Sequence, residues 1–158
     1  MKKDFFDIID QKLAENKDIF LLLGDLGYPR YDELKDKYPT RVFNCGASEQ
    51  TMLDIAVGIA YEGKIPFCYT ITPFLLRGWE TIRTFLNHEN LHCVLIGAGV
   101  GTEYSLHDGF SHDAQDIKGH FDLMENIIQH YPDDKAQLID DIDMAINIKK
   151  GHFINIHK

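Results

Sequence analysis

No apolar run in this 158-residue chain approaches the roughly 20 residues that a membrane-spanning helix needs. The opening, Met1-Lys2-Lys3-Asp4-Phe5-Phe6, lacks the long apolar core and small-residue cleavage site of a secretory signal, so a cytoplasmic protein is expected. Cationic side chains are outnumbered, 16 Lys and Arg against 25 Asp and Glu. The resulting formal charge of −9 argues against a nucleic-acid role, because phosphate binding needs a basic face, while leaving room for a local cationic spot. Cysteine is scarce and odd in number: Cys45, Cys68 and Cys93 each lie in or beside an apolar run and read as buried reduced thiols. Metal motifs are missing as well. His88, His92 and Cys93 have no fourth ligand at paired spacing, and Asp133, Asp134, Asp140, Asp141 and Asp143 lack the spacing of a calcium loop and read as a solvated acidic surface. Gly97-Ala98-Gly99-Val100-Gly101 follows an apolar run without the spacing of a dinucleotide fingerprint.

What is present is ordinary globular material, 44% hydrophobic and 26% charged, enough for one domain over residues 1–158 with its own core. Short β-rich runs alternate with amphipathic ones. Helices are expected at Phe5–Asn16, Tyr31–Tyr38, from Glu49 to Gly63, at Leu75–Leu86, over Ala114–His130 (one or a pair) and at Asp140–Lys149. Strands are expected at Ile19–Leu23, Arg41–Asn44, Pro66–Ile71, His92–Ile96 and Phe153–Ile156, with a further short one at Ala136–Ile139. Such alternation predicts an α/β fold, a parallel sheet with helices on both faces. Ligands in open sheets of this class bind beyond the carboxyl ends of the strands, here the loops starting at Gly24, Cys45, Thr72 and Gly97.

Glu49 draws attention on one of those loops. It heads the helix that begins after Gly46-Ala47-Ser48, where an acid commonly complements the helix dipole. Met52 to Ala60 carries apolar residues on nearly every side, however, which predicts a buried helix with an enclosed carboxylate at its head. An enclosed carboxylate has a raised pKa unless it is paired, and such groups are usually functional.

Three blocks carry a family resemblance. Cys45-Gly46-Ala47-Ser48-Glu49-Gln50-Thr51-Met52 resembles the Glu-Gln block of transketolases and deoxyxylulose-phosphate synthases. Pro73-Phe74-Leu75-Leu76-Arg77-Gly78-Trp79 follows, and then His107-Asp108-Gly109-Phe110-Ser111-His112, similar to the family's Asp-Gly-X-Thr-His block. The resemblance implies the pyrimidine-binding domain of a thiamine-diphosphate enzyme. In such enzymes a carboxyl group bonded to the aminopyrimidine ring promotes loss of a proton from the cofactor's thiazolium carbon, and here that group is Glu49. It further implies that Phe74 stacks on the ring, that Asp25 of Gly24-Asp25-Leu26 lies near the cofactor, and that Asp108 binds substrate hydroxyls. His112 would assist proton transfer at the reacting carbonyl, while Arg77 and His107 would serve the substrate end. Ile71 and Arg77 stand where some transketolases place aromatic residues.

The family's diphosphate-binding domain, marked by Gly-Asp-Gly and a downstream Asn, has no counterpart; Gly24-Asp25-Leu26 and Asn44 have the wrong third residue and too short a spacing. The resemblance therefore implies a stand-alone pyrimidine-binding subunit, inactive alone. Its expected partner is a separate chain that binds Mg²⁺ and the diphosphate, in an α₂β₂ assembly. The implied reaction moves a two-carbon ketol unit from a ketose or 2-oxo acid to an aldehyde. Alternatives are a β-type subunit of a 2-oxo-acid dehydrogenase or decarboxylase, and a non-catalytic regulatory subunit retaining the fold.

Overall fold

Six apolar runs pair side by side into one parallel sheet of order β2-β1-β3-β4-β6-β5, in a computed structural model that describes all 158 residues. The strands are β1 (Ile19–Leu23), β2 (Val42–Asn44), β3 (Ile65–Ile71), β4 (Cys93–Ala98), β5 (Ile127–His130) and β6 (Gly151–Ile156). The principal helices are α1 (Lys2–Glu15), α2 (Arg30–Lys37), α3 (Glu49–Tyr61) and α7 (Lys135–Asn147). Shorter ones are α4 (Trp79–Thr81), α5 (Ser105–Asp108) and α6 (Ile117–Phe121). All five strand pairings are parallel, with Leu21 opposite Phe67 and Tyr69 opposite Ile96 near the centre. Residues alternate between the two faces, as a strand period of two requires. Leu21, Leu23, Phe67, Tyr69, Val94, Ile96, Ile154 and Ile156 join α1 and α7 in one core. Leu22, Cys68, Leu95 and Phe153 join α3, the segment after β3 and α6 in the other. The expected two-faced parallel sheet is therefore the observed one. No helix is long and apolar enough to cross a membrane.

Three local expectations need correction. The helix expected over Ala114–His130 is helical only at Ile117–Phe121, and Ile127–His130 is edge strand β5. The β-branched pair Ile127-Ile128 makes the local sequence compatible with a strand, and the ladder with β6 supplies its backbone partners. The short strand expected at Ala136–Ile139 lies inside α7, because Asp134 caps that helix by accepting from the Gln137 amide at 2.9 Å. The helix expected at Leu75–Leu86 is a composite: a 3-10 segment Thr72–Gly78 opened by Pro73, the single turn α4, then a π-helical stretch Ile82–His88. Nor is α3 enclosed all round. Met52, Leu53, Ala56, Val57 and Ala60 are buried, whereas Ile55 is 43% exposed and an apolar groove of about 450 Å³ runs between it, Ile59, Phe43 and Phe20. The cysteines are free; Cys68 and Cys93 are buried and Cys45 half-buried, with burial pushing the Cys45 thiol pKa up.

Candidate functional site

The carboxyl ends of β1 and β3 and the head of α3 converge on one side chain. The chain leaves β2 at Asn44, whose Oδ1 accepts from the Gly46 amide at 2.8 Å, and Gly46 turns with a φ of 73° into α3. Glu49, the first residue of α3, is thereby tucked against the sheet at 1% exposure. Thr70 of β3 donates to its Oε1 at 2.9 Å, and Arg77 Nη1 donates to its Oε2 at 2.6 Å. The pairing that a buried carboxylate requires is thus supplied by a guanidinium from the 3-10 segment. Gly24 at the end of β1 makes the space: a Cβ there would lie 2.9 Å from Thr70 Oγ1 and 3.1 Å from Glu49 Oε1.

Arg77 reaches Glu49 across an aromatic face. Its guanidinium carbon is 3.8 Å from the centroid of the Phe74 ring, and Phe74 in turn meets His112 edge-on at 4.8 Å. His112 Nδ1 is 3.0 Å from Ser111 Oγ. Glu49, Arg77, Phe74 and His112, four of the side chains singled out in the sequence, thus form one continuous group.

The others stand apart from it. His107 and Asp108 are exposed on α5, and no hydrogen bond or ion pair joins their side chains to the group. Asp25 is exposed, with a left-handed φ of 55°. Its Oδ1 accepts from Asn44 Nδ2 at 3.0 Å and from the Tyr28 hydroxyl at 3.3 Å, which ties the loop after β1 to the turn entering α3. Gln50, the second residue of the Glu-Gln pair, faces away and binds Asp54 and Thr81, clamping α3 to α4.

Sequence reasoning missed three supporting residues: Thr70, Thr72 and Asn155. Thr72 Oγ1 donates to the Gly99 carbonyl at 2.6 Å, and Asn155 Nδ2 reaches Thr72 Oγ1, Gly97 O and Gly99 O at 2.9 to 3.0 Å. This buried knot holds the start of the 3-10 segment against the glycine-rich loop after β4. A polar residue in the apolar runs Pro66–Ile71 and Phe153–Ile156 was the available signal, since a buried polar group needs partners.

Residues 1–158 match the family described as transketolase, pyrimidine binding domain. The chain belongs to that family. It is 31% identical to the transketolase of Pongo abelii over 147 residues, which is 90% of this chain but 23% of that protein. A putative transketolase C-terminal section from Methanocaldococcus jannaschii is 29% identical over 114 residues, covering 71% of this chain and 36% of its own length. Among solved structures, a split gene transketolase described as an inactive β4 tetramer superposes with a TM-score of 0.85 at 25% identity, over 98% of this chain and 50% of that one. The Campylobacter jejuni transketolase shares the fold at a TM-score of 0.84 and 17% identity. As a transketolase pyrimidine-binding domain, the chain spans about a quarter of the length of the full transketolases it matches.

Proposed function

We propose that this chain supplies the aminopyrimidine half of a thiamine-diphosphate site and works as one subunit of a split, transketolase-like transferase. The observation that carries this reading is the buried Glu49 carboxylate, linked through the Arg77 guanidinium to the face of Phe74, at the sheet end where ligands of such folds bind. These residues fit the ring. A flat, delocalised group with N–H donors already rests on Phe74 and reaches Glu49, so the place accepts that kind of partner.

When bound, thiamine diphosphate supplies an acidic thiazolium carbon through which a two-carbon ketol unit passes from a ketose or 2-oxo acid to an aldehyde. Glu49 is the group that shares a proton with the ring at a carboxyl oxygen, and Thr70 holds that carboxyl in orientation through Oε1. Phe74 supports the ring's face. His112, touching Phe74, moves protons at the reacting carbonyl through a ring that carries both a donor and an acceptor nitrogen. Asp108 and His107, on the exposed α5, are substrate-binding residues; Asp25 is a cofactor-proximal one, and Arg77 offers a guanidinium to an anionic substrate group.

Diphosphate and Mg²⁺ fall to a separate subunit, in an α₂β₂ arrangement. Two observations support a partner: relatives whose names describe a transketolase C-terminal section and a split gene transketolase, and unshielded apolar side chains around the site. Phe110 is 96% exposed and Leu106 77%, both on the loop that carries Asp108 and His112. The test is co-purification from the native cell, then titration of the complex with thiamine diphosphate and Mg²⁺. A stoichiometric second chain, with cofactor binding absent from the 158-residue chain alone, is the expected result. A chain that finds no partner and no cofactor overturns the reading.

A further inference from the structure

Two surfaces assigned to the cofactor's ring, the Glu49 carboxylate and the Phe74 face, are both taken up by Arg77. One guanidinium lies 3.8 Å from the Phe74 centroid and donates to Glu49 at 2.6 Å. A guanidinium is planar, delocalised and edged with N–H donors. In those respects it matches an aminopyrimidine, and a ring entering between Glu49 and Phe74 would meet Arg77 there. We propose that Arg77 is a built-in occupant of the pyrimidine site, closing it in the ligand-free chain and swinging outward when the ring binds. This inference rests on the reading of Glu49 and Phe74 given above.

Each part of the arrangement suits an exchange. A carboxylate at 1% exposure cannot stand alone, so something must compensate it whenever the ring is absent. Arg77 does so from a side chain that is itself 46% exposed, which leaves its outward path open to water. The backbone beneath it stays fixed. Thr72 is tied to Gly99 and Asn155, and Gly78 packs so closely on α3 that a Cβ would lie 2.3 Å from Leu53 Cδ1. The motion is therefore side-chain rotation alone. Thr70 binds the other carboxylate oxygen, so Glu49 keeps its orientation through the exchange.

An internal competitor lowers apparent affinity by the fraction of molecules in which the site is open. In the complex with the diphosphate-binding subunit, Arg77→Leu should bind thiamine diphosphate roughly tenfold more tightly than the unmodified protein, by calorimetry with Mg²⁺ present. On saturation of the unmodified complex, the Arg77 Nη–H resonances should move to the position and exchange rate of a solvent-exposed arginine. Equal or weaker binding by the variant, or an Arg77 resonance that saturation leaves unchanged, overturns the proposal. If neither protein binds thiamine diphosphate, the pyrimidine-site reading itself has failed and the proposal falls with it. A second measurement needs neither the cofactor nor the Arg77→Leu fold: in the ligand-free chain, Glu49→Gln should release the Arg77 Nη–H protons to solvent exchange. An Arg77 signal indifferent to that change also overturns the closed state.

Discussion

Glu49 at the carboxyl end of the central strands and the His130–His152 pair beneath α7 are buried to similar depth, yet they are sealed differently. His130 Nδ1 bonds Asp141 at 2.8 Å, His130 Nε2 bonds His152 Nδ1 at 3.0 Å, and His152 Nε2 ends on the Ile148 carbonyl at 2.9 Å. Every ring nitrogen has a partner, and those partners belong to β5, β6, α7 and the turn after it, all parts of the packed scaffold. Glu49 has its second partner on a half-exposed arginine lying against an aromatic face. Burial of an ionisable group is common to both. What separates a site from a strut is that one of the compensating partners can leave.

Substitutions should therefore divide between the two clusters. Glu49→Gln is expected to reduce turnover of the assembled enzyme by at least about a hundredfold, the scale of losing an acid–base group. Its effect on stability should be small, because the freed Arg77 returns to water. Equal loss of stability and activity would make Glu49 a strut like the histidines. Asp141→Ala should do the opposite. It leaves His130 Nδ1 without its acceptor, at a cost of about 2 to 3 kcal/mol in urea unfolding after allowing for the partial exposure of Asp141. Cofactor binding should be unchanged, since α7 packs on the far face of the sheet.

Much of this difference was legible in the sequence for Glu49 and almost none of it for the histidines. Glu49 heads an apolar helix at a strand-end loop, so pattern and position agree, and the resemblance named its neighbours Phe74, Arg77 and His112. The alternation of strands and helices likewise carried the sheet and its ligand-binding edge. His130 and His152 are twenty-two residues apart, and they meet only because β5, a strand hidden in a stretch that reads as helix, pairs with β6. The same slip put Ala136–Ile139 in a strand, where the Asp134 cap was the missed signal. That Arg77 would face inward to Glu49 was not readable either, since a periodic pattern places a side chain on a face without naming what it touches.

The histidine cluster also gives the comparison a pH axis. Burial, the neighbouring His130 and His92, and Lys150 lower the His152 pKa from 6.5 to about 4, against the opposing pull of the Ile148 carbonyl. Folded His152 thus stays neutral while the unfolded chain takes up a proton below about pH 6.5. Its contribution to stability is complete above pH 6.5 and is lost as the pH falls towards 4, by roughly 2 to 3 kcal/mol in all. Urea midpoints measured from pH 7 to pH 4 should fall more steeply for the unmodified chain than for His152→Asn. Parallel pH curves would show that His152 titrates alike in both states and does not act as a sealed strut.

The smallest expected effect lies on the α1 face of the same sheet edge, where Tyr69 of β3 is fully buried one residue from Thr70. Its ring stacks on Phe5 at 5.2 Å and meets Phe6 edge-on at 5.1 Å, while its hydroxyl has no hydrogen-bond partner and burial pushes its pKa up. Thr70 Oγ1 and Tyr69 OH, carried by neighbouring residues on opposite faces of the sheet, thus have opposite fates, one bonded to Glu49 and one unpaired. Removing an unpaired buried hydroxyl sheds a desolvation cost without breaking a bond. Tyr69→Phe keeps both aromatic contacts, so its stability should be unchanged or higher by up to about 1 kcal/mol. Thr70→Val should instead destabilise by about 1 kcal/mol and impair the orientation of Glu49. If Tyr69→Phe proves the more damaging of the two, the hydroxyl is bonded in solution, and the α1 face holds a polar interaction comparable to the one at Glu49.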